Sequence, residues 1–295
     1  MINNFNTLKI KKDLFKLTGK KFSDKYINDN YKKIFDSIIK SGKNKIIISG
    51  SQGSGKSTLL ILIKKNLKKF YNIDTLCLSL DDYYLSKKKR LSLSKKIHQF
   101  LITRGVPGTH DVEKLLKNII SFEKKKYPIY VPKFDKLTDN RKKNYSKISK
   151  VKKILFLEGW CCGSPPIEKK FLKKNINILE KKDHSYIWRE YYNNKLDNEY
   201  RSIFKKFNFL IYFKVPHFKY VHKWREKQEK NLLMSQNKKR KIMNKNELNN
   251  FIMHYEKLTK WMSINMPNLA SLSIELNKKQ RIERVKISDF KIIKY

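Results

Sequence analysis

Apolar residues along the chain follow two rhythms, one helical and one strand-like. From Leu14 to Ile39 they fall at mixed helical spacing (Leu14, Leu17, Phe22, Tyr26, Tyr31, Ile34, Phe35, Ile38, Ile39), which predicts one or two helices ahead of the core. Lys45 to Ser49 holds the β-branched run Ile46, Ile47, Ile48, and after a glycine-rich turn the helical spacing resumes from Thr58 to Leu67. A second short strand is expected over Thr75 to Leu80, and a helix over Val112 to Glu123 with Asp111 as a candidate N-cap. Lys152 to Leu157 and Phe209 to Phe213 read as buried strands, separated by a polar, aromatic-rich helical stretch from Ile167 to Phe207. Tyr220 to Lys260 reads as helix interrupted by an exposed lysine-rich run, Asn237 to Lys245, and Ser271 to Leu276 supplies a last strand.

Strands alternating with helices predict an α/β fold with a mainly parallel central sheet and helices on both faces. The expected organisation is a helical extension over residues 1–40 and one α/β domain over 41–295. That domain carries a helical insertion at about 167–207 and a helical lid region at about 220–260.

Composition leaves this picture standing. Hydrophobic residues make up 40% and aromatics 13% of the 295 residues, enough to build a core despite a formal net charge of +43. Such a surplus raises nucleic acid as a partner. A recognition surface, however, concentrates charge on one element and interleaves aromatics with it, whereas lysine here is spread along nearly the whole length beside abundant Asn and Ile. An AT-rich coding bias produces that mixture, so no specific nucleic acid is expected. Three cysteines, Cys77, Cys161 and Cys162, form no CxxC pair and suit a reducing cytoplasm. The first twenty residues lack a signal-peptide pattern, and no apolar run approaches the roughly 20 residues of a membrane span.

Chemistry enters at Gly50-Ser51-Gln52-Gly53-Ser54-Gly55-Lys56-Ser57, a complete GxxxxGK[ST] match between a predicted strand and a predicted helix. The glycines let successive backbone N–H groups turn inward on phosphate oxygens, and the helix that follows presents its positive end. Lys56 then reaches the β and γ phosphates of ATP, Ser57 binds Mg²⁺, and Thr58 continues the loop into the helix. The fold expected is the three-layer P-loop NTPase architecture. Glu158, delivered by an apolar strand to the sheet's carboxyl edge, is the candidate acidic partner for the metal.

The acceptor side is sought at Leu80-Asp81-Asp82-Tyr83-Tyr84, which ends the second predicted strand. Adjacent carboxylates on a strand point to opposite faces, so one at most faces the reaction centre, and Asp81 is chosen as general base. In Arg104 to Asp111 the glycines and Pro107 shape a loop on which Arg104 and His110 offer donors suited to a carboxylate. Asp111 is either part of that pocket or the cap of the following helix.

These segments resemble the P-loop small-molecule kinases related to uridine kinase, pantothenate kinase and phosphoribulokinase, and most of all the D-glycerate 3-kinase family. The resemblance runs from about Lys45 to Ile287. It rests on Gly50 to Ser57, Ser79 to Leu85, Arg104 to Asp111, Pro132 to Lys136, Leu157 to Trp160, and Trp224-Arg225 with Gln228-Glu229. It implies a cytoplasmic, Mg-dependent kinase moving the γ-phosphoryl group of ATP to a hydroxyl of a small metabolite, D-glycerate first. The acceptor would meet Asp81, Tyr84, Arg104, His110, Asp111 and Lys136, with Lys56, Asp81 and Arg225 catalytic. Arg225 would come from a lid helix over the phosphates, and Asn277 to Arg281 would lie near the adenine. Arg141 falls in the family's basic loop, where Asp139-Asn140-Arg141 replaces a more glycine-rich form. Another small acceptor, such as a nucleoside, pantothenate or a sugar acid, is the alternative within the class. An NTPase stimulated by nucleic acid is the alternative outside it, and its affinity would fall steeply with salt.

Overall fold

The computed structural model describes residues 5–234 and 243–288. Helices α1 (Thr7–Thr18), α2 (Asp24–Tyr26) and α3 (Lys33–Ser41) come first, the last two joined by a π-helical stretch, Ile27–Lys32. Asn6 caps α1 by accepting from Lys9 N, and Gly19 ends it in the left-handed region. Strand β1 (Lys45–Gly50) leads into α4 (Lys56–Tyr71), and β2 (Thr75–Ser79) into α5 (Lys87–Lys96) and α6 (Val112–Glu123). Four short strands follow, β3 (Ile129–Val131), β4 (Phe134–Asp135), β5 (Asn140–Arg141) and β6 (Ser146–Ile148), before β7 (Ile154–Gly159).

Where the sequence reads as one helical stretch between residues 167 and 207, the chain forms α7 (Lys169–Lys173), α8 (Ile178–Lys181), α9 (Ile187–Lys195) and α10 (Arg201–Phe204), the last two joined without a break by the π-helical turn Leu196–Tyr200. Ser185 and Tyr186, both at positive φ, break it before α9. Strand β8 (Phe209–Lys214), helices α11 (Phe218–Met234) and α12 (Lys245–Leu269), and strands β9 (Leu272–Leu276) and β10 (Ile282–Ile287) complete the chain. The lysine-rich break expected at Asn237 to Lys245 lies largely outside the described residues.

The six-stranded sheet has the order β10-β9-β8-β1-β7-β2, parallel throughout except for the edge strand β10. β10 was not expected from sequence, because its charged residues leave it half exposed on a sheet edge. Alternation along the strands divides the core. Ile47, Leu76, Leu78, Leu155, Leu157 and Leu210 face the insertion and α12. Ile46, Ile48, Phe156, Phe209, Ile211 and Ile274 face α1, α3 and α4. Each such side chain contributes roughly 1.5–3 kcal/mol by leaving water, so the sheet is the layer on which both faces depend. β1 is flanked by β7 on one side, with β2 beyond it, and by β8 on the other, so the strand order reverses at β1 and the crevice for a ligand opens at its carboxyl end. Among the described residues, no helix is long and apolar enough to cross a membrane.

One polar contact fastens α1 to α4. Asp13, 1% exposed, pairs with Lys9 at 2.5 Å and with Lys65 at 2.6 Å. Burial pushes its carboxyl up, but the two lysines outweigh it and hold the group below the ordinary value of 3.8. A folded-state value below the unfolded one gives stability that is present above pH 3.8 and lost as pH falls through the folded value. Asp13→Asn should therefore lower unfolding stability by roughly 1–3 kcal/mol at pH 7, and that loss should shrink as pH falls below 3.8, as read from urea denaturation across an acid pH series.

Candidate functional site

The GxxxxGKS segment leaves the end of β1 at Gly50 and enters α4 at Lys56, with Gly53 at φ +74° and Gly55 at φ +98°. Only glycine takes such angles without strain. Inside the loop, Ser51 Oγ and Ser54 Oγ are buried with no hydrogen-bond partner, and Lys56 Nζ donates to the Ser51 carbonyl at 2.9 Å. Buried polar groups are ordinarily paired, so two orphaned hydroxyls beside a folded-back lysine suit a loop shaped for a polar guest. Burial pushes the Lys56 ammonium down from its usual value, while Glu158 and Asp81 push it back up.

Glu158 stands at the end of β7, in register with Ile48 of β1 and Ser79 of β2. It is 8% exposed and accepts from Ser57 Oγ at 3.2 Å and Ser79 Oγ at 2.8 Å. A carboxylate and a hydroxyl beside a loop shaped for phosphate suit Mg²⁺, which keeps several waters and takes one or two carboxylates besides phosphate oxygens. Ser79 was not singled out from sequence; a polar residue closing an apolar strand is the signal that points to it.

Asp81 and Asp82 do not extend β2. They lie on a 3-10 turn, Leu80–Tyr83, so strand alternation does not separate them. Their partners do. Asp82 is held by Lys133 Nζ at 2.7 Å and Phe134 N at 3.2 Å, while Asp81 meets Lys136 Nζ at 2.6 Å and accepts from Tyr84 Oη at 3.1 Å. Burial raises the Asp81 carboxyl, but Lys136 in contact, with Lys56 and His110 behind it, drives it well below the carboxylate range.

A cavity of about 280 Å³ joins these groups, lined by Gln52, Lys56, Asp81, Tyr84, Arg104, Lys136, Glu158 and Arg225 among others. Arg104 is ion-paired with Asp139, which also takes the fully buried Arg90 at 2.8 Å. The Arg225 guanidinium lies 5.5 Å from the Phe251 ring centre. Helix α12 supplies Phe251 and Tyr255, whose hydroxyl donates to the Arg104 carbonyl at 2.8 Å, and neither was anticipated. His110 and Asp111 do not line this cavity. His110 stacks on Tyr84, while Asp111 accepts from Lys114 N as the cap of α6 and pairs with Arg141 at 2.9 Å. Arg141 also donates to the carbonyls of Tyr83 and Tyr84, a clamp on the Asp81 segment rather than a cavity wall.

Beyond the phosphate loop lies a second cavity of about 340 Å³, lined by Ser54, Gly55, Thr58, Trp224, Gln280 and residues Leu17 to Tyr31 of the N-terminal helices. Gln280 Nε2 donates to the Gly53 carbonyl, tying the β9–β10 turn to the loop. Trp224 and Arg225, adjacent on α11, thus line different cavities with the loop between them. A Cβ on Gly53 would sit 2.8 Å from Trp224 Cβ at a φ that strains any L-residue. Gly53→Ala should weaken nucleotide binding at least about tenfold, measured by titration with a fluorescent ATP analogue, with little change in thermal midpoint.

Compared with models of known protein families, the chain matches none. The uncharacterized kinase mug58 of Schizosaccharomyces pombe is 31% identical over 221 residues, covering 70% of this chain and 76% of that protein. Among solved structures, D-glycerate 3-kinase from Cryptococcus neoformans shares the fold with TM-score 0.73 at 20% identity, over 87% of this chain and 98% of its own. The structure of YGR205w protein gives TM-score 0.68 at 24% identity, over 88% and 96%. A complete phosphate loop at the switch point of a parallel sheet, the shared fold and the identity with the fission-yeast protein agree: this chain belongs to the P-loop kinase family that includes mug58, nucleotide-binding phosphotransferases.

Proposed function

We propose that the protein transfers the γ-phosphoryl group of ATP to a hydroxyl of a small acceptor that also carries a carboxylate, with D-glycerate as the first choice. The observation that carries this reading is the Asp81–Lys136 ion pair at 2.6 Å, set in the 280 Å³ cavity whose floor is the phosphate loop. The nucleoside occupies the 340 Å³ cavity beyond the loop, bounded by the Asn277 to Arg281 turn, so the transferable phosphoryl emerges on the Asp81 side. Ser57 and Glu158 would hold a magnesium ion, which would supply neutralisation of the phosphate charge.

Asp81 accepts the hydrogen bond of the incoming hydroxyl and takes its proton as the oxygen bonds to phosphorus and the bond to the β-phosphate breaks. Lys56 and Arg225 face the charge that spreads over the phosphoryl oxygens. With Lys136 in contact, Asp81 is a weak base. A carboxylate on the acceptor draws Lys136 to itself and returns basicity to Asp81, whereas a neutral nucleoside leaves the pair closed. That coupling, the converging Arg104 and Lys136, and the glycerate kinase name of the Cryptococcus protein with this fold favour a hydroxy acid.

Purified protein with Mg-ATP should release ADP at least about tenfold faster with D-glycerate than with nucleosides, pantothenate, DNA or RNA; stimulation by polynucleotide alone reverses the reading. Lys56→Ala should abolish turnover, and Asp81→Asn should keep ATP affinity while lowering kcat by roughly 100-fold or more. An Asp81→Asn enzyme as fast as wild type excludes Asp81 as the base.

The pH profile supplies an independent check. Removing Lys136 takes away the largest influence holding Asp81 below its ordinary value and leaves burial, which raises it. In Lys136→Met the acid limb of kcat/KM should therefore move to higher pH by about one unit or more, with the alkaline limb in place.

A further inference from the structure

Asp81 is reached from behind by a chain of contacts that starts in the helical insertion. Tyr200 closes the π-helical turn Leu196–Tyr200 and is 1% exposed. Its hydroxyl accepts from Gly108 N at 3.0 Å and lies 2.6 Å from His110 Nδ1. With Nδ1 accepting, the Tyr200 proton is paired; with an Nδ1–H donating, the oxygen would take two donors and its own buried proton would be left over, so Nδ1 is assigned as the acceptor nitrogen. Among the described residues no other hydrogen-bond partner takes that proton. His110 is thereby held as the neutral Nε2–H tautomer, in keeping with burial that pushes it down to about 3.

The His110 ring stacks on Tyr84 with centroids 4.4 Å apart and planes at 24°, and Tyr84 in turn donates to Asp81. The backbones beneath the two rings are paired as well, through Leu85 N to Thr109 O at 2.8 Å and Asp111 N to Tyr83 O at 2.7 Å. The insertion closes on this loop at a second point: Gly108 has φ +91°, and a Cβ there would come within 2.6 Å of Tyr191.

Of the two side chains on the Asp81 carboxylate, Lys136 is 48% exposed and long, whereas Tyr84 is 5% exposed and packed on both His110 and Phe134. Once an acceptor draws Lys136 away, Tyr84 is the partner that still fixes where the carboxylate points. We propose that Tyr200, acting through His110 and Tyr84, is a positioning residue that sets the tautomer and ring plane on which the Asp81 geometry depends. The inference rests on the reading of Asp81 as base. It gives the insertion a part in phosphoryl transfer, although the insertion contributes no side chain to the lining of the acceptor cavity.

Tyr200→Phe keeps the ring and deletes the hydroxyl. Its kcat should fall about tenfold, a fraction of the roughly 100-fold cost of a 1 Å misplacement, with KM for ATP within about twofold of wild type. In an Asp81→Asn background the same substitution should cost nothing further, because the group it positions is already gone. The acceptor is D-glycerate, or whichever compound the screen above shows to be turned over. Separately, ¹⁵N NMR of the wild-type protein needs no acceptor and should show His110 with Nδ1 unprotonated and Nε2 protonated at neutral pH. A protonated Nδ1, a Tyr200→Phe kcat within about twofold of wild type, or an equal loss in both backgrounds overturns the proposal. If Asp81→Asn itself turns over normally, the base assignment and this inference fall together; if it is crippled while Tyr200→Phe is not, this inference falls alone.

Discussion

The structure turns on a buried carboxylate at the end of a parallel sheet. Glu158 has little water around it, and an anion in that position costs several kcal/mol unless its oxygens are satisfied. Ser57 from the first turn of α4 and Ser79 from the end of β2 satisfy them, one hydroxyl to each oxygen. Three elements are pinned at one point by that arrangement: the helix that carries the phosphate loop, the strand that leads to Asp81, and the strand between them. Parallel register is what makes it possible, since Ile48, Glu158 and Ser79 lie level across neighbouring strands. Shifting β7 by one residue would turn the carboxylate to the other face and bury a leucine where the ion should be.

From that point the two cavities follow. The phosphate loop rises between them, α11 leans on its far side through Trp224, and the β9–β10 turn holds it through Gln280. A polyphosphate laid along such a loop has its two ends in different chambers. In the function proposed, this separation would set the nucleoside against the N-terminal helices and the edge hairpin and the reacting end against the ionised groups and aromatic walls around Asp81. The buried Arg90 belongs to the same logic: it binds the carbonyls of Leu85, Ile102 and Asp139, so one guanidinium locks the segments that bear Arg104 and Lys136 to the helix behind them.

Much of this was legible in the residues, and what was not has a physical reason. Strands β1, β2, β7, β8 and β9 announce themselves because both of their faces are covered, which demands apolar runs. β10 is charged along its exposed edge, and β3 to β6 are only two or three residues long, too short for any period to register. The phosphate loop was readable because its backbone geometry needs glycine at set positions. The choice between Asp81 and Asp82 was argued from strand alternation, yet the chain turns into a 3-10 helix there, and what distinguishes them is Lys133 against Lys136, more than fifty residues away. Tyr200 and Tyr255 carried no local mark at all, because their importance comes from whom they meet, and Gln280 entered only within the Asn277 to Arg281 segment.

The charge of the chain makes the same point from another side. With 69 lysines and arginines, the presence of a cation says nothing about its work. Its burial does. Arg189 and Lys257 are both nearly sealed from solvent and converge on Glu180, while Arg189 also binds Asp183 at 2.8 Å and Lys257 donates to the carbonyls of Phe171 and Lys174. Breaking such a group by removing one partner strands the others in a medium that cannot solvate them. Lys257 sits on α12 two residues from Tyr255 and the acidic groups lie in the insertion, so this ionic knot joins the helix that walls the 280 Å³ cavity to the segment that carries Tyr200. A solvated lysine can be exchanged with little consequence. These few cannot: they tie the insertion to α12, and Tyr255 of α12 ties it in turn to the Arg104 loop on the wall of the 280 Å³ cavity.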